Sequence, residues 1–118
     1  MKRASVIAAL FAGLVAGCGH TDVYQSVLRS PSPPTGKRAE VYMAPTPPPR
    51  PYADVAMIQV VGFGADANLE DSVHALSERA ESLGCDAVVQ VRVEIGMSIS
   101  HGFGVCAKWV AEAAPSAQ

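Results

Sequence analysis

The sequence contains no apolar run long enough to cross a bilayer. Its uncharged stretch from Val6 to Val15 is ten residues, where a spanning helix needs about twenty. Basic residues are also scarce, with nine Lys and Arg against eleven Asp and Glu. That balance argues against a broad basic surface for nucleic acid. There are three cysteines and three histidines, and none has the Cys-x-x-Cys or His-at-i,i+4 spacing of a zinc motif. Ser72, Ser77 and Ser82 lack the strand–turn–helix glycines of a nucleophile elbow. No catalytic constellation emerges, so the expectation is a chain that is not an enzyme.

What is present begins at the amino terminus. Met1-Lys2-Arg3 is a short basic segment, and the apolar run after it suits the h-region of a signal peptide. Small residues follow, and Leu14-Val15-Ala16-Gly17-Cys18 resembles the lipobox of bacterial lipoproteins, with Val15, Ala16 and Gly17 leading to the lipidated Cys18. The resemblance implies removal of residues 1–17 and a covalent lipid on Cys18, the one cofactor-like group expected. Two or more acyl chains hold a protein firmly to a membrane, since each buried methylene contributes about 0.8 kcal/mol. Gly19, in place of Asp, resembles the outer-membrane class, facing the periplasm. Without Lys2 and Arg3 the remaining chain has seven basic and eleven acidic residues, a formal charge of −4.

From residue 18 to 38 apolar periodicity is weak, and Ser30-Pro31-Ser32-Pro33-Pro34-Thr35-Gly36 favours solvated polyproline II backbone. The expectation is a disordered, lipid-anchored spacer reaching up to roughly 60 Å at about 3.1 Å per residue. A domain over residues 39–112 follows, then a short polar tail, 113–118. Ala39-Glu40-Val41-Tyr42-Met43 suits a short strand. The proline group 45–51 then becomes a stiff connection, with Tyr52 as an aromatic anchor. Val55–Val61 is rich in β-branched residues and reads as a buried strand.

Asn68 offers a helix cap, with Asp71 as its capping-box partner. Leu69, Val73, Leu76, Ala80 and Leu83 recur at helical spacing, with His74, Ser77 and Glu78 turned elsewhere. Gly84 suits the left-handed helix end. Val89, Val91, Val93 and Ile95 then alternate with polar residues as a strand. After a loop over 96–102, Phe103, Val105, Ala107 and Trp109 share one face of a last strand, opposite Cys106 and Lys108. The predicted fold class is α+β: a small ββαββ domain with one helix on a three- or four-stranded sheet.

Val41-Tyr42, the connection ending in Pro51-Tyr52, and Leu76-x-x-x-Ala80-x-x-Leu83-Gly84-x-Asp86-Ala87-Val88-Val89 resemble the YbjQ-type domains, labelled heavy-metal-binding, and the RcsF-like envelope-sensor lipoproteins. The resemblance covers about residues 39–111 and implies an interaction or sensing module with an envelope protein as partner. Val105-Cys106 resembles the last cysteine-bearing strand of the RcsF-like proteins, while the position suited to its partner falls near Val93.

Cys85 and Cys106 are the candidate disulfide or thiol residues. A hairpin around the 96–102 loop puts Cys106 opposite Arg92, leaving Cys85 about 23 Å away at about 3.3 Å per residue. A bond needs Cα atoms within about 7 Å. Two separate thiols are therefore expected, with an intramolecular disulfide as the alternative. A metal site would have to recruit Cys85, Cys106, His74 and His101, and none is assigned. Gly62-x-Gly64-x-x-Ala67 formally matches a dinucleotide fingerprint, with Glu94 further on. Asp66, Glu70 and Asp71 would repel a pyrophosphate there, and a tight turn is the simpler use of the glycines. The functional expectation is a membrane-tethered envelope interaction module. A small-ligand or metal-binding domain and a self-assembling structural subunit are the alternatives.

Overall fold

The structure, a computed structural model, describes residues 18–111. The expected signal peptide with Val15, Ala16 and Gly17, and the expected tail from residue 113, lie outside the described residues. The elements are β1 (Gly19–Val27), β2 (Glu40–Met43), β3 (Tyr52–Gly64), α1 (Leu69–Ser82), β4 (Ala87–Ile95) and β5 (Ile99–Trp109). The fold class is α+β, with one helix against one face of a single mixed sheet ordered β1-β3-β5-β4-β2. No helix among the described residues is long and apolar enough to cross a membrane.

The sheet has five strands because residues 19–27 are not a spacer. They pair antiparallel with β3 from Gly19↔Gly64 to Val27↔Ala56. Weak periodicity is what an edge strand over one helix permits. Val23 packs against the core, while Tyr24, Ser26 and Val27 are exposed. Nor does the proline-containing segment extend away. The Ser32 amide donates to the Leu83 carbonyl at the end of α1 (3.2 Å), so the chain passes over the helix terminus on its way to β2. The expected 60 Å reach is corrected accordingly.

The β2 strand and the proline connection form as expected. Tyr52 opens β3 and packs on Ala87, Val89 and Ala107 with Tyr42 and Trp109. The Arg50 guanidinium lies 5.4 Å from the centre of the Trp109 ring, a cation–π contact. The Tyr42 hydroxyl donates to the Glu40 carboxylate at 2.6 Å, and this bond leads the causes that raise the tyrosine pKa.

Helix α1 starts at the predicted cap, where the Asp71 amide donates to Asn68 Oδ1 at 2.8 Å. Leu76, Ala80 and Leu83 of the predicted stripe are buried, and the buried face also takes in Ser72 and Ser77. Ser72, Leu76, Ser77 and Ala80 face the sheet, while Leu69 is about half exposed. Ser72 occurs in the contact because β5 leaves little room beside Gly102. A Cβ on Gly102 would sit 2.7 Å from Val60 Cγ2 and 3.5 Å from Leu76 Cδ1, and one on Gly104 would collide with Val88 Cγ1. Glycine at both positions lets the helix lie close to the central strand, and Ser72, whose Cβ would be 3.6 Å from a Cβ on Gly102, matches that short separation. Both buried serine hydroxyls of the helix are satisfied: Ser77 donates to the Ala39 carbonyl (2.8 Å), and Ser72 to the Asn68 carbonyl (2.8 Å) beside Ser100 Oγ (3.1 Å). A buried hydroxyl without such partners costs about 1–3 kcal/mol.

Gly102→Ala adds one methyl where the packing is closed. It should destabilise the fold by about 1–3 kcal/mol, read as a lower urea midpoint with an unchanged slope. An unchanged midpoint would mean that the helix does not sit tightly on β5.

Candidate functional site

Two regions contain the chemistry-bearing residues. The first joins the end of α1 to β5. Leu83 caps the helix, and Gly84 takes the left-handed conformation at φ 72°. The Gly84 amide donates to the Glu81 carbonyl (3.0 Å) and the Cys85 amide to the Ala80 carbonyl (3.0 Å). This is the paired bonding of a Schellman motif, and it turns Cys85 back beneath the last helical turn. Cys106 faces the same helix from β5, and both cysteines are buried.

Cys85 and Cys106 are joined as a disulfide, with Cα atoms 5.8 Å apart. The expectation of separate thiols is overturned for two reasons. The hairpin is shorter than expected, with Ile95 opposite Ser100, and a bulge between Val89 and Arg92 puts Cys106 opposite Val88. The bulge is where Gln90 adopts a positive φ of 55°. In addition, Cys85 precedes β4, in the turn off the helix, so it does not continue the strand away from Cys106. The bond closes a loop with a sequence separation of 21, for which the chain-entropy relation gives about 3 kcal/mol.

Around the disulfide the backbone is fully engaged. The Asp86 amide donates to the Ala107 carbonyl (2.9 Å), the Trp109 amide to Asp86 Oδ2 (2.8 Å) and the Lys108 ammonium to the Gly84 carbonyl (3.1 Å). Its chemistry is structural. No group of three or more His, Cys, Asp or Glu lies together among the described residues. His74 is paired at 3.5 Å with Glu78 on α1, and His101 lies opposite Glu94 on the sheet.

The Gly62–Ala67 turn is likewise occupied by the protein's own backbone. A Cβ on Gly62 would collide with the Asp66 carbonyl, and one on Gly64, at φ 61°, with the Cys18 carbonyl. The glycines permit these close approaches. Cys18, exposed, stands directly before β1, and its carbonyl accepts the Ala65 amide at 3.5 Å.

The second region is the helix-free face of the sheet. Phe103, Val105, Ala107 and Trp109 share it, as the alternation predicted, while the helix covers the opposite side of β5. At the Trp109 end the face is closed by Tyr42, Tyr52 and the Arg50 guanidinium. Between β1, β3 and β5 it is open. A groove of about 480 Å³ runs between Tyr24, Met57, Phe103 and Val105, rimmed by Gln59 and Gln90. Tyr24, Met57 and Phe103 are 56%, 57% and 44% exposed. This patch was missed from sequence because Tyr24 belonged to the expected spacer. Without β1 beside β3 the groove has only one wall.

No family model, curated protein or solved structure matches this chain.

Thiol-specific alkylation of the denatured, unreduced protein should leave Cys85 and Cys106 unmodified, and both should react after reduction. The double variant Cys85→Ala/Cys106→Ala should lose about 3 kcal/mol of stability. Alkylation of either cysteine before reduction would contradict the bond.

Proposed function

We propose that this chain is a lipid-anchored envelope protein whose domain binds a partner protein through the open face of its sheet. The anchor reading is supported by the lipobox-like Leu14-Val15-Ala16-Gly17-Cys18 and by the exposure of Cys18 at the start of the fold. An outer-membrane, periplasm-facing address follows from the Gly19 resemblance. The Cys85–Cys106 bond suits an oxidising compartment.

The observation that carries the binding reading is the groove between Tyr24, Met57 and Phe103. Aromatic residues and methionine are the side chains most enriched in protein interfaces, and charged residues are depleted at interface centres. Here the apolar centre is rimmed by uncharged Gln59, Gln90 and Ser26, which suits a protein surface better than a charged metabolite. The layout of anchor followed by small α+β domain also resembles the RcsF-like lipoproteins. The partner role is that of a non-catalytic interaction or sensing module. This domain has no long arm between Cys18 and its sheet, so a partner must approach close to the membrane. Among the two edge strands, β2 has four residues and leads into prolines, which blunts it for self-pairing, whereas β1 is open.

A photo-crosslinking residue at Met57 or Phe103 in native envelopes should give a discrete adduct with another protein, and one at exposed Glu78 on α1 should not. Adducts only between copies of the chain would favour the self-assembling subunit. Equal labelling from both faces, or none, would contradict the reading.

A further inference from the structure

We propose that the tip of the β4–β5 hairpin inserts into the lipid surface beside Cys18. The proposal rests on the anchor reading above and adds a second, non-covalent contact with the bilayer. Cys18 is separated from β1 by no intervening residue, so the anchor and the end of the sheet share one location. The same end holds the hairpin. Gly19 pairs with Gly64, Phe63 with Ile99, and Ile95 with Ser100. The Gly64 amide donates to the Ser98 carbonyl at 3.0 Å, which fixes the loop to the strand that contacts Cys18. With strands about 4.8 Å apart, β1 and the hairpin are separated by two spacings, about 10 Å.

The tip carries apolar side chains that the described residues leave partly or fully uncovered. Ile95, Met97 and Ile99 are 55%, 105% and 37% exposed, and Gly96 and Ser98 between them are uncharged. Single exposed apolar residues are ordinary. Three within five residues at a hairpin tip, next to the attachment point, form a wedge. Ile95 lies on the Ser100 side of the hairpin and Ile99 on the other, with Met97 at the apex. The surroundings identify the kind of membrane contact. Residues 18–20, 62–71 and 94–101 include Asp66, Glu70, Asp71 and Glu94 but no Lys or Arg. Attraction to anionic headgroups is therefore unavailable, and the contact is apolar insertion of the interfacial kind, about 5–10 Å deep.

The molecule contains its own reference for a test. Its single tryptophan, Trp109, is ten residues along β5 from Ile99, about 33 Å at the rise of a strand. The mature protein and its Met97→Trp variant, a change at a fully exposed position, are reconstituted into phosphatidylcholine vesicles brominated near the headgroup end of the acyl chains. The introduced tryptophan should shift to shorter emission wavelength and be quenched, while Trp109 is not. Vesicles that carry the protein but quench the introduced tryptophan no more than Trp109 would overturn the insertion and leave the anchor standing. Protein that does not float with the vesicles and has no acyl mass on Cys18 would overturn both.

Discussion

Strand β3 makes the strongest demand on the rest of the chain. Its thirteen residues present backbone donors and acceptors along two edges, and a buried strand cannot leave either edge unpaired without a cost near that of lost hydrogen bonds. β5 satisfies one edge along nearly its full length, and β1 satisfies the other from Gly64 to Ala56. Burial of Ile58 and Val60 beneath α1 depends on both partners. So does the location of Cys18, since the strand that closes the edge begins at the next residue.

Recruitment of β1 converts the expected spacer into part of the domain. A lipid on Cys18 would then hold the sheet end at the membrane rather than tens of ångströms above it. The proline-containing segment after β1 becomes a strap across the end of α1, and the open face gains a second wall. The groove, and the location of Cys18 at the hairpin-tip end of the sheet, are thus consequences of one strand pairing. The apolar wedge at Met97 would be an unexplained exposed patch on a domain at the end of a long arm. On a domain tethered at Cys18, as proposed, it would face the lipid.

Much of the fold was legible from residues with strong local chemistry. Asn68 and Gly84 marked the helix ends, alternation from Val89 to Ile95 marked β4, and the prolines around residue 47 marked a stiff connection ahead of Tyr52. Three features were not legible, each for a physical reason. β1 is a half-exposed edge strand, so its polar residues read like a linker. The buried helix face includes Ser72, beside Gly102 where the backbones come close, and Ser77, which donates to the Ala39 carbonyl, and hydropathy marks neither serine as buried. The disulfide depends on a bulge at Gln90 and on a three-residue hairpin loop, both of which change register without a distinctive composition. The open groove was hidden by the first of these, since Tyr24 acquires its neighbours only through β1.

The central claim is that residues 19–27 are a strand of the domain. Amide hydrogen exchange on the mature protein tests it directly. The β1 amides that donate to β3 should be protected far above the random-coil rate, in contrast to the amides of the exposed loop at Gly96–Ser98. Coil-like exchange throughout residues 19–27, with β3 and β5 still protected, would restore a flexible spacer and contradict the account.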